Sequence, residues 1–181
     1  MLTQSAAARR PSTWRRLRSR QATPATSRYD SVTGLLLRDE LLADGERFVQ
    51  AAHAAGCGVA VVSVFVEGID APVSLYTEDE RNHILATLSS EMLRHASDRD
   101  VVGRIGLAEI VWVTRIDSLA QERRRLQTIR LAADAALSAD PVAADAEYRF
   151  SVAQANGRLV TFDDLVAEAR AELPMATASA S

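Results

Sequence analysis

Apolar positions change their period several times along the chain, and each change marks an element. From Asp30, "DSVTGLLLRDELLADGERFVQAAHAAG" opens with turn residues and continues as an Ala- and Leu-rich helix, with Gly56 as its stop. "GVAVVSVFVEG" is an apolar run broken only by Ser63, the pattern of a strand buried on both faces. In "TEDERNHILATLSSEMLRHA", Ile84, Leu85, Leu88, Met92 and Leu93 recur at helical spacing, and Thr77 with Glu80 forms a capping-box pattern at the start. Two short strands follow, 100–105 and 108–114, meeting at Gly106-Leu107, where glycine suits the first central position of a two-residue type II′ turn. Trp112 alternates with Ile110, which places it in core or interface packing. A second amphipathic helix is predicted over 117–138, with Glu122, Arg123, Arg124 and Arg125 on a solvated face. "AEYRFSVAQA" is a further strand, and "TFDDLVAEARAEL" is a closing helix capped near Thr161.

Between the opening and closing helices the order is strand, helix, strand, strand, helix, strand. That order predicts an α+β domain with a ferredoxin-like antiparallel sheet and helices covering one face. The folded domain is expected over 30–174, with a disordered basic tail at 1–29 and a short disordered tail at 175–181. Such a fold hosts many unrelated activities, so function has to come from particular residues.

Composition narrows the picture. With 181 residues, 48% of them hydrophobic, the chain is long enough to bury one core. Its longest apolar run, 59–66, falls far short of the roughly 20 residues a membrane span needs. Cys57 is the only cysteine, so no intrachain disulfide forms; it is expected as a buried thiol, and the cytoplasm as the compartment. His53, His83 and His95 share no metal-ligand spacing.

The net charge of -3 conceals an asymmetry, because the first 29 residues carry seven arginines and no acid. The remainder carries 14 arginines against 24 acids, and the chain has no lysine at all, a bias that fits a GC-rich coding background. An acidic body argues against nucleic acid as a partner of the folded domain. The tail buries too little apolar area to order itself, although Arg9, Arg10, Arg15, Arg16, Arg18 and Arg20 would suit docking on an anionic surface.

Two stretches carry a family signature. "DSVTGLLLR" matches the form D-x-L-T-G-L-x-N-R at Asp30, Thr33, Gly34, Leu35 and Arg38. "SDRDVVGRIGLAEI" matches R-x-x-D-x-x-x-R-[IL]-G-G-[DE]-E-F at Asp100, Arg104, Gly106 and Glu109. With "ILATLSSEML" between them and "FSVAQA" and "LVAEARAEL" after them, the chain from about 30 to 173 resembles a degenerate GGDEF domain of the diguanylate cyclase family.

The resemblance implies a chemistry and also where it fails. Cyclases of this family use two carboxylate positions to hold two divalent ions, which bridge the GTP triphosphate and activate the 3′-hydroxyl. Matched to the family, one carboxylate position is Phe65 and the other is Ala108, and neither offers oxygen to a hard cation. Glu67 follows Phe65 on the same side of the strand and is the one candidate substitute ligand. Ile69-Asp70 replaces a Phe-Lys pair, putting negative charge near the phosphates. The guanine-contacting positions become Val73 and Asn82, the second motif glycine becomes Leu107, and the motif's final Phe becomes Ile110. Ser97 stands where the product-inhibition motif R-x-x-D has its arginine.

The expectation is therefore no catalytic, nucleotide-binding or metal residue, no cofactor, and no binding of GTP or cyclic di-GMP. Asp30, Thr33 and Gly34 are expected to build a turn, Arg38 to pair with a nearby acid, and Glu109 to lie on a strand edge at the surface. The function this implies is a signalling or protein-interaction module in cyclic di-GMP-related regulation, pairing with another protein or with itself. Alternatives are a non-catalytic GTP or cyclic di-GMP receptor, and a ferredoxin-like adaptor docking through its Arg-rich tail.

Overall fold

A computed structural model describes residues 27–71, 74 and 76–172. Most of the basic tail, the 175–181 tail and Val73 lie outside the described residues. The elements are α1 (Arg38–Ala54), β1 (Gly58–Val66), α2 (Glu78–His95), β2 (Val101–Arg104), β3 (Glu109–Ile116), α3 (Leu119–Ser138), β4 (Tyr148–Ala155) and α4 (Phe162–Ala171). The four strands form one antiparallel sheet in the order β2-β3-β1-β4. This is the α+β, ferredoxin-like arrangement that the element order predicts.

β1 explains the layering. Apart from Ser63 its residues are apolar on both faces, so the sheet needs a helical cover on each side. Val62 and Val64, with Ile110 and Trp112 of β3, meet α2 and α3. Val61, with Val111, Val113 and Ala153, meets α1 and α4. The two helices of the ferredoxin-like core thus share one face as expected, and the opening and closing helices close the other.

Chemistry at the helix ends follows the sequence. The Thr77 hydroxyl accepts from the Glu80 amide at 3.3 Å, and the Glu80 carboxylate accepts from the Thr77 amide at 2.7 Å. Thr161 and Asp164 make the same reciprocal cap at α4. No helix among the described residues is long and apolar enough to cross a membrane.

α1 lies close against the edge strand β2. A Cβ built on Gly103 would stand 2.7 Å from the Leu41 Cβ, closer than real side chains approach. Gly103→Ala should therefore force α1 away from β2 and cost about 1–3 kcal/mol. A urea unfolding curve reads this as a lower midpoint with an unchanged slope.

Candidate functional site

The opening signature folds as a turn closed by its own carboxylate. Asp30 Oδ1 accepts from the Thr33 amide and the Thr33 hydroxyl, both at 2.8 Å, and from the Val32 amide at 3.2 Å. Gly34 takes φ +70°, which a side-chain-bearing residue adopts only with strain, and Leu35 enters the core. Partial burial pushes the Asp30 carboxyl upward, but the Thr33 hydrogen bonds and Arg104 together hold it below its usual value.

Arg104 joins this turn to the hairpin. Its Nε donates to the Gly106 carbonyl at 2.9 Å, one terminal nitrogen donates to the Leu107 carbonyl at 2.7 Å, and the other lies 3.5 Å from Asp30. The hairpin differs from the type II′ expectation. The Ile105 amide donates to the Glu109 carbonyl at 3.1 Å, leaving Gly106, Leu107 and Ala108 as a three-residue loop. Gly106 lacks the positive φ a type II′ turn requires, because Arg104 holds the loop by its carbonyls instead.

Glu109 corrects a second expectation. β3 is an inner strand, and Glu109, opposite Phe65 on β1, is only 6% exposed. Arg170 of α4 reaches across to it, with Nε at 2.9 Å and a terminal nitrogen at 2.5 Å from Oε2. The Ser63 hydroxyl donates to Oε1 at 2.8 Å. Hydrogen bonding to Glu109 is the largest cause of the upward shift of the Arg170 guanidinium. A surface carboxylate was expected because nothing local in the sequence shows that a closing helix brings an arginine over the strand.

The other motif positions are also occupied structurally. Arg149 of β4 lays its guanidinium over the Phe65 ring, 5.2 Å from the centroid, and its Nε lies 2.8 Å from Glu67. The candidate substitute ligand is thereby engaged by a cation. Ala108 is 2% exposed and packs with the core on the α2 and α3 side, as does Ile110. Leu107 is 70% exposed and, with Ile69, Glu78, Arg81, Asn82 and Arg104, lines a cleft of about 170 Å³. Among the described residues, no three His, Cys, Asp or Glu side chains converge as a metal site.

The α3 face is not solvated throughout. Arg123 and Arg124 are exposed, but Arg125 turns inward. It stacks on Trp112 at 4.5 Å and donates to Asp100 at 2.6 Å, to Thr114 at 2.9 Å and to the His95 carbonyl at 2.9 Å. Asp100 also accepts from the Ser97 amide at 2.8 Å. The buried aromatic supplies a surface on which a guanidinium can lie, which helical spacing alone does not reveal. Ser97 to Asp100, with Thr114, Arg115, Asp117 and Arg125, line an open cavity of about 600 Å³.

Arg38 stands exposed and makes no ion pair among the described residues. Two acids of α1 pair with Arg28 instead, Glu40 at 2.7 Å and Asp44 at 2.9 Å. Cys57 is half-buried rather than fully buried and contacts Arg115. His83 pairs with Asp140 at 2.5 Å, joining α2 to the residues after α3.

Two outcomes follow from these buried charges. Arg170→Ala strands the Glu109 carboxylate; because the Arg170 side chain is itself half exposed, the loss should be about 1–3 kcal/mol in a denaturant titration. Glu122, also buried, is the reverse case: burial is the main cause that pushes its carboxyl above 4.5, with Asp100 and Asp117 adding and Arg125 opposing. The folded state then binds its proton more tightly than the unfolded state, so stability falls as pH rises past about 4.5. Glu122→Gln should raise the melting temperature at pH 7–8, and the difference from wild type should close toward pH 4.

No family model and no curated protein matches the sequence. Solved structures do match. The GGDEF domain of DgcB from Caulobacter crescentus, in complex with c-di-GMP, superposes with a TM-score of 0.68 at 13% identity, over 83% of this chain and 90% of that one. The FimX GGDEF domain from Pseudomonas aeruginosa gives 0.64 at 17% identity, over 80% of this chain and 90% of that one. Diguanylate cyclase SiaD from Pseudomonas aeruginosa, in complex with its activator SiaC, gives 0.65 at 17% identity, over 80% of this chain and 56% of that one. The four-stranded antiparallel sheet with its helices on both faces is thus the fold of a GGDEF domain.

Proposed function

We propose that this is a GGDEF-like domain without cyclase activity, serving as a signalling or protein-interaction module in cyclic di-GMP-related regulation. The reading rests chiefly on Glu109. The carboxylate retained from the motif has its oxygens engaged by Arg170 and Ser63, beside a phenyl ring at the position where the family places a metal ligand. Mg²⁺ prefers near-octahedral oxygen ligation, and this end of the sheet offers a hydrocarbon and a carboxylate already in use. The partner is another protein or a second copy of the chain, in the cytoplasm, and nucleic acid is not a partner of the folded domain. SiaD in complex with its activator SiaC is a precedent for a protein partner on this fold.

Incubation with GTP and Mg²⁺ or Mn²⁺, followed by chromatographic separation, should yield neither cyclic di-GMP nor pyrophosphate. Formation of either product overturns the reading.

One observation favours a second reading, a non-catalytic cyclic di-GMP receptor. Ser97 replaces the motif arginine, yet Arg99, Arg115 and Arg125 line the cavity around Asp100. DgcB in complex with c-di-GMP shows that the fold accepts that ligand. A ligand that binds only the native state adds about 2.7 kcal/mol at a hundredfold excess over its dissociation constant. An upward melting shift with cyclic di-GMP would establish the receptor, and no shift is expected on the first reading.

A further inference from the structure

The sheet has two edges, and the chain treats them differently. Along β2, the Leu36 amide donates to the Val102 carbonyl at 3.2 Å and the Arg104 amide donates to the Leu36 carbonyl at 2.8 Å, so the opening turn covers that side. β4 is the other edge. The Glu67 amide donates to the Glu147 carbonyl at 2.9 Å, which fixes the phase of the ladder between β1 and β4. In an antiparallel ladder, alternate residues point their backbone groups at the same neighbour. Arg149, Ser151, Ala153 and Ala155 therefore bond to β1, while Tyr148, Phe150, Val152 and Gln154 turn their N–H and C=O groups outward. No backbone group among the described residues meets them.

An open edge of this kind is a template for another strand, and proteins that avoid such pairing blunt their edges with proline, bulges or several charges. β4 runs as YRFSVAQA, with one charged residue and neither proline nor glycine. Tyr148, Phe150 and Val152 are also only half-buried against the α2 and α3 side. The two ends of the strand differ in charge. Asp145 and Glu147, both exposed, precede it. Arg158 follows it and folds back, with a terminal nitrogen 3.5 Å from the outward carbonyl of Gln154.

We propose that the β4 edge pairs antiparallel with β4 of a second copy of the chain, about a two-fold axis at Ser151. This register gives every outward group a partner: Phe150 exchanges bonds with Val152 of the second copy, and Tyr148 with Gln154 of the second copy. Phe150 and Val152 then also meet across the strands as an aromatic and a β-branched side chain. Arg149, the one charged residue of the strand, faces Ala153 of the second copy and not another arginine. Charge favours the same orientation and the same occupant. Antiparallel pairing brings the acidic end of each strand to the Arg158 guanidinium of the other, whereas parallel pairing sets like charges together. An edge whose two ends complement each other fits its own copy. The proposal rests on the partner-binding reading above and specifies its second copy; pairing is read from mass and exchange, and loss of cyclase activity from GTP products, so either can fail without the other.

The test measures the mass of the full chain by sedimentation from micromolar to millimolar concentration, with amide hydrogen exchange at both ends of that range. A rise toward twice the chain mass is expected. Exchange at Tyr148, Phe150, Val152 and Gln154 should slow with concentration, while Ser151 and Ala153, already bonded to β1, should not change. Val152→Pro removes one outward N–H at a position where an edge strand tolerates proline, and should abolish association while the monomer stays folded. Arg158→Glu, at an exposed side chain, should weaken association about tenfold, and adding Glu147→Arg should restore it. A monomer at every concentration overturns the proposal. So does slow exchange at the outward amides that ignores concentration, because the chain's own residues then cover the edge. A dimer unaffected by Val152→Pro overturns it too, because the contact then lies elsewhere.

Discussion

A strand with no polar face governs this molecule. β1 cannot turn either side to water, so the chain has to supply two helical layers, and it does so with pairs drawn from different parts of the sequence. α2 and α3 come from inside the strand order, whereas α1 and α4 come from its two ends. β1 pairs with β3 in an antiparallel register that begins with Gly58 opposite Ile116. That register sets Phe65 opposite Glu109.

Buried charge is handled by arginine throughout. Arg104 serves the hairpin loop, Arg125 serves Asp100, and Arg170 serves Glu109. Each guanidinium makes several directed bonds from a planar fork, which lets it satisfy carbonyls and a carboxylate together or rest on an aromatic ring. In a chain without lysine, cationic side chains near the core are arginines by necessity, and their geometry suits the task. The result is a GGDEF fold whose motif residues are tied into the scaffold.

Local pattern was enough for the elements. The α2 and α4 caps, the Gly56 stop and the Asp30 turn are written in adjacent residues, and each formed as its chemistry requires. What escaped was contact across distance. Glu109 reads as a surface carboxylate until Arg170, 61 residues later, is brought over it. Arg125 and Glu122 read as solvated because helical spacing shows which side chains are polar and not what lies beneath them. The turn type at Gly106 escaped for a similar reason: a side chain from the preceding strand determines the loop, and dipeptide preference does not see it.

Arg104 touches both signature stretches: the turn at Asp30 and the loop at Gly106 and Leu107. One guanidinium therefore imposes a single requirement on its own hairpin loop and on a turn 74 residues before it in the chain. Replacing it would free both at once, so those positions should drift or persist together as sequences diverge. In this chain the turn and the loop are held by one shared set of contacts.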